Sequence, residues 1–204
     1  MLKKHQFPYV CFGFDTDFKN DSFVDVDNTQ AFYDLTQRQI MQGHTHIAFL
    51  DAPLELTFSL ARKRGYLQAM HEAHLTIDPR WLLNGELNEH DAMKMTQEIM
   101  SLVQRPTCIL CADDTMALGA IAACEALSYQ VGIDIAIAGY GDYEYSGYTK
   151  PSITTVKYDT RLVGEGMSKL MLNTIEDKQF EVNNWYEAMI VIRQSDTYLL
   201  TNKI

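Results

Sequence analysis

The sequence predicts an α/β fold with mainly parallel sheets flanked by helices, and three observations carry that prediction. Short β-branched or apolar runs alternate with longer segments of helical period, the signature of βαβ units. The run Thr107–Cys111 (TCILC) is apolar throughout, as in a parallel strand buried on both faces. The length of 204 residues suffices for one large domain or two small lobes with a real core.

Each element follows from local pattern. Tyr9–Phe14 and Ser22–Asp27 read as strands, the second alternating Phe23, Asp25 and Asp27 against Val24 and Val26. Ala31, Phe32, Leu35 and Ile40 predict a helix over Asn28–Met41, opened by Asp27 or Asn28 and stopped by Gly43. His46–Leu50 (HIAFL) reads as a buried strand. Leu60, Leu67, Met70 and His74 give Thr57–His74 a helical period, and a polar connection through Pro79, Asn84 and Gly85 leads to a helix over Asp91–Val103. After Thr107–Cys111, Asp113 or Asp114 caps a helix carried by Ala117, Ala120, Ile121, Cys124 and Leu127. Asp134–Ala138 is the next strand, Thr160–Ile175 an amphipathic helix and Trp185–Ile192 a final strand. Ligands of such sheets sit beyond the carboxyl ends of the strands. That rule selects Phe14–Asp17, Asp51–Arg62, Ala112–Thr115 and Gly139–Tyr148.

Composition excludes several classes. With 17 basic against 27 acidic residues the net charge is −10, the wrong sign for a surface that itself neutralises DNA phosphates. No stretch reaches 18 consecutive apolar residues, and the start, MLKKHQFPYVCFGFD, lacks the apolar core and cleavage site of a secretion signal. The four cysteines, Cys11, Cys108, Cys111 and Cys124, lie in apolar runs and fit reduced thiols of a cytoplasmic protein.

Motifs for chemistry are weak. Cys108 and Cys111 form a C-x-x-C inside a strand, where positions i and i+3 face opposite sides, so core packing is preferred to a metal site. His71-Glu72-Ala73-His74 spaces its histidines at i and i+3, one short of the zinc-protease helix. His44 and His46 flank the turn after Gly43 and read as solvated or helix-capping. No G-x-S-x-G elbow or P-loop occurs, and Gly139-Tyr140-Gly141 lacks the third glycine of a dinucleotide fingerprint, so no enzyme and no cofactor is predicted. The loop GYGDYEYSGYTKP over Gly139–Pro151 offers four tyrosines, suited either to binding a polar ring such as a sugar or to an interface. The cluster Arg62, Lys63, Arg64 is either solvated or lends a planar guanidinium to a ligand.

The run from Cys111 (CADDTMALGAIAACEALSYQVGIDIAIAGYGDYEYSGYTKPSITTVKYDTRLVGEG) closely resembles the distal half of the lactose/galactose-repressor family of bacterial transcription regulators. GHTHIAFLDA, ARKRGYLQAM and SFVDVDN resemble further motifs of that family in the same order. The resemblance runs from about Tyr9 to the end. It implies a periplasmic-binding-protein-like (type I) core of two α/β lobes that holds a small effector. A partial proximal lobe over residues 1–44 is followed by a distal effector-binding lobe over 45–140, a return to the proximal lobe over 141–178 and a C-terminal strand region over 179–204.

Carried over position by position, the resemblance implies that Arg62 grips effector hydroxyls, Asp113 lines the site and Asn28 with Asp27 contributes from the other lobe. Tyr158 falls on a variable site position, and Asp142 on the second acidic residue of the family's G-Y/F-D-D turn. The first of that pair is Gly141 here. Its loss of an acceptor is expected to open space for a larger glycoside or oligosaccharide, with Asp142 or Tyr140 compensating. The family also implies a homodimer and DNA contact through an N-terminal helix-turn-helix that the sequence does not contain, so it reads as N-terminally truncated. Effector binding would then control DNA affinity by allostery. A transport binding protein of the same fold is the alternative.

Overall fold

The computed structural model describes residues 7–14, 22–176, 182 and 184–197. The chain forms two compact units, the first from Met1–Asp27 with Tyr158–Ala188, the second from Asn28–Lys157 with Met189–Ile204.

In the first unit β1 (Cys11–Phe12), β2 (Phe23–Val26) and β8 (Trp185–Tyr186) form a parallel sheet in the order β1-β2-β8. Phe14, Phe23 and Trp185 cluster on it with ring centroids 4.8 to 5.5 Å apart. Helix α5 (Thr160–Glu176) buries Val163 and Gly166, and a Cβ at Gly166 would stand 1.9 Å from the Tyr186 hydroxyl. Of the strand-end segment Phe14–Asp17, residues 15–17 lie outside the described residues.

The second unit is built on a four-stranded parallel sheet in the order β4-β3-β5-β6, with β3 at Ile47–Asp51, β4 at Leu82–Asn84, β5 at Cys108–Cys111 and β6 at Ala136–Ala138. Every residue of β3, β5 and β6 is buried, which is why these strands read as unbroken apolar runs. β4 was not expected: its three residues sit among the polar connection, too short to show a period. Trp185–Ile192 is likewise two strands, because after Glu187 the chain leaves the first sheet and β9 (Ala188–Val191) pairs with β7 (Thr155–Tyr158).

Around this sheet lie α1 (Asn28–Met41), α2 (Thr57–Glu72), α3 (Glu89–Met100) and α4 (Asp114–Ala126). Helix α1, grouped by the sequence reading with residues 1–44, belongs to the second unit and packs on α2. The approach is close: a Cβ at Gly65 would lie 2.1 Å from the Thr29 carbonyl oxygen and 2.8 Å from the Tyr33 nitrogen. Neither backbone atom can swing aside. Gly65→Ala is expected to force the two helices apart and cost about 2 kcal/mol, read as a lower urea midpoint with an unchanged slope. An unchanged midpoint would show that the helices slide freely.

The buried face of α2 is only partly the one its apolar residues trace. Leu60 is 54 % exposed, while Ser59 and Arg62 are buried beside Tyr66, Ala69 and Met70. His44 also differs from expectation. Rather than being solvated, it lies buried past the α1 terminus, its backbone N–H donating to the Gln39 carbonyl and its Nδ1 2.8 Å from the Thr107 hydroxyl. Cys108, Cys111 and Cys124 are wholly buried, and burial raises all three thiol pKa values.

Candidate ligand-binding site

Three segments converge at the carboxyl ends of β3, β5 and β6. From α2, Arg62 reaches inward and is only 7 % exposed. Its Nε donates to Asn28 Oδ1 at 2.9 Å and its Nη1 to the Ala112 carbonyl at 2.5 Å. The guanidinium lies flat among aromatic rings: Cζ is 3.5 Å from the Tyr140 centroid, 4.5 Å from that of Phe58 and 5.8 Å from that of Phe32. Only a planar, weakly hydrated cation tolerates such a slot; a lysine ammonium could neither stack nor fork. Burial lowers the Arg62 pKa, opposed by Tyr140, Asp113 and Asp51.

Carboxylates frame this cation. Asp113 caps α4, its Oδ1 accepting from the Met116 N–H at 2.7 Å. Asp51 ends β3, where its Oδ1 accepts from the Ala52 N–H and the Ser59 hydroxyl, each at 2.8 Å. Burial raises the Asp51 pKa, and its buried Oδ2 has no hydrogen-bond partner among the described residues.

The loop after β6 is fastened from behind. Asp114, wholly buried, accepts from the Tyr143 N–H at 3.0 Å, the Ser146 hydroxyl at 2.6 Å and the Thr155 hydroxyl at 2.5 Å. Gly139 leaves room for it, since a Cβ there would meet Asp114 Oδ1 at 2.3 Å. At Gly141, where open space was expected, the Tyr143 ring is packed against the backbone: a Cβ would be 2.9 Å from Tyr143 Cε1. The φ of +122° at Gly141 also disfavours any side chain. Burial pushes the Tyr143 hydroxyl up to about 12, with Asp113 adding to the effect.

The structure brings Arg62, Asn28, Asp113 and Tyr140 together in the second unit. It turns Asp142 to other work: Oδ1 accepts from Arg193 Nη2 at 2.6 Å and Oδ2 pairs with Lys157 Nζ at 3.1 Å. Burial raises the Asp142 pKa, but the two cations outweigh it and hold the carboxyl below its usual value. Asp27 is exposed at the end of β2, and Tyr158 stands 6.3 Å from Phe12, both in the first unit. Sequence reasoning did not single out Asp51, Phe58 or Tyr143, and named Asp114 only as an alternative to Asp113 for the α4 cap, which Asp113 supplies. All four fall inside the strand-end segments it selected, and no spacing marked them within those segments.

Among the described residues no group of His, Cys, Asp or Glu could hold a metal ion, and no helix is long and apolar enough to cross a membrane. Residues 36–195 match a family described as the periplasmic binding protein-like domain. The chain belongs to that family. Three relatives of the chain are transcription regulators, as the repressor resemblance implied. It is 32% identical over 157 residues to the "HTH-type transcriptional repressor PurR" of Klebsiella pneumoniae (strain 342), a match covering 76% of this chain and 46% of that repressor. Among solved structures it is similar to a regulatory protein of the LacI family from Chloroflexus aggregans, with 30% identity, a TM-score of 0.88 and coverage of 96% of this chain and 70% of that one. The transcriptional regulator CelR in complex with cellobiose is 26% identical, also with a TM-score of 0.88, over 95% of this chain and 60% of that one. The chain thus spans about half the length of the repressors it matches.

Proposed function

We propose that the chain is the effector-binding core of a lactose/galactose-repressor-type transcription regulator, that its effector is a sugar or glycoside, and that the protein is not an enzyme. The observation that carries this reading is Arg62: a cation buried among three aromatic rings, with two nitrogens fixed and carboxylates around it, is built to recognise a polar ring by stacking and directed hydrogen bonds. Asn28 and Asp113 complete the polar set, and Tyr140 supplies the face on which the guanidinium lies. Asp142 serves by positioning the loop through Arg193 and Lys157. The resemblance alone carries Asp27 and Tyr158.

In the regulator, effector binding acts through differential affinity for two conformations. DNA is recognised by a helix-turn-helix outside these residues, and the working form is a cytoplasmic homodimer. The lobe assignment of residues 45–140 is part of the same proposal.

A thermal-shift panel of mono- and disaccharides tests it, because an effector raises the melting temperature with its concentration. Arg62→Ala is expected to weaken binding by about 100-fold or more, since hydrogen bonds to a charged group disappear together with the stacked cation. An undiminished shift in that variant would place the site elsewhere, and no shift of the parent with any sugar would overturn the effector class.

A further inference from the structure

We propose that Tyr143 sets ligand choice at this site, presenting an aromatic face that selects a disaccharide whose second pyranose carries equatorial hydroxyls over a free hexose. The inference rests on the reading of the Arg62 site above and concerns a residue that no motif assigns.

The ring is held on three sides. One face covers Gly141, the position from which a side chain would otherwise project. Tyr145 abuts it edge-on, with centroids 5.7 Å apart at 62°, and the Tyr145 hydroxyl lies 3.1 Å from the Thr115 hydroxyl in the first turn of α4. The Tyr143 backbone is tied to the buried Asp114. A side chain 43% exposed yet held in this way is preorganised, so little rotamer entropy is lost when a ligand stacks on it.

Its neighbourhood is the Arg62 site: its backbone N–H donates to Asp114, next to the Asp113 cap, and the Gly141 that its ring covers directly follows Tyr140, whose ring centroid lies 3.5 Å from Arg62 Cζ. Gly141 and Tyr143 are therefore one device. Glycine removes an acceptor for a pair of sugar hydroxyls, and the tyrosine that fills its place offers an apolar face with a polar rim. A hexose held by Arg62 gains nothing from that exchange. A second pyranose with equatorial hydroxyls gains much, since such a ring has faces lined with C–H groups that stack on an aromatic ring.

The test is calorimetry of the 204-residue chain with glucose and cellobiose as probes. The parent is expected to bind cellobiose about tenfold or more tightly than glucose, the scale of one aromatic contact. Tyr143→Phe should keep that preference and Tyr143→Ala should bring the ratio close to one. An unchanged ratio in Tyr143→Ala, or a parent that prefers glucose, overturns the assignment of Tyr143 while leaving the Arg62 reading intact. Arg62→Ala should lose both sugars; if it binds both as the parent does, the Arg62 reading fails instead. A parent that binds neither sugar overturns the ligand class on which this proposal stands.

Discussion

Asp114→Ala is expected to destabilise the chain by about 4 kcal/mol and lower its melting temperature by about 10 °C. The size follows from what one buried carboxylate does. It accepts from the Tyr143 N–H, the Ser146 hydroxyl and the Thr155 hydroxyl, and so joins the start of α4 to the loop after β6 and to β7. An alanine leaves three donors buried without their acceptor, each costing about 1 to 3 kcal/mol unless it finds water. It also leaves a void beside Gly139, which lacks a Cβ because the carboxylate stands there.

Asp114→Asn separates the contributions. An amide keeps one acceptor oxygen of nearly the same shape but replaces the other with a donor, so about half of the loss is expected. Chemical denaturation of the three proteins at one pH is the check, and an alanine variant within about 0.5 kcal/mol of the parent would sink the account, since that is the range of an ordinary surface change. The same variants bear on function. Asp114 touches Tyr143 only through its backbone, so ligand preference should deteriorate in step with loop order.

The strands were legible because a sheet buried on both faces must be apolar at every position. HIAFL and TCILC could therefore be placed within about one residue of β3 and β5. The site was legible only in outline. Helix α2 shows why: its buried stripe carries Ser59, Arg62 and Gly65 beside Tyr66, Ala69 and Met70, so of the residues that traced its 3.6-residue period Met70 lies on the buried face while Leu60 is exposed. Amphipathic patterning is broken where a helix buries a cation and a close helix contact along with its apolar residues. Asp142 shows a limit of another kind: no local pattern reveals that Arg193, 51 residues later, donates to that carboxylate. Tyr143 was hidden among four tyrosines of one loop. What distinguishes it is a packing contact with Gly141, which no periodicity encodes.

Buried histidine gives the second large effect, a loss of stability in mild acid. His44 is fully buried, and burial lowers its pKa from the ordinary 6.5 to about 4. The folded protein keeps this ring neutral at a pH where the unfolded chain protonates it. Between those two values the unfolded state binds more protons, so stability rises with pH. The contribution is therefore complete above pH 6.5 and is lost as pH falls toward 4, about 3 kcal/mol in all. Asp51, Asp114 and Asp196 act in the opposite sense. Burial raises their folded pKa values above 3.8, so they hold protons longer than the unfolded chain does and favour the folded state at the acid end. The net slope of the parent mixes these terms, and His44→Asn isolates one of them. An asparagine can still place a polar nitrogen or oxygen near the Thr107 hydroxyl, 2.8 Å from His44 Nδ1, but it does not titrate. The unfolding free energy of the parent should drop relative to that variant between about pH 7.5 and pH 4.5 by most of the 3 kcal/mol. Parallel curves would mean that the ring is protonated in place and that the packing around the end of α1 admits the charge.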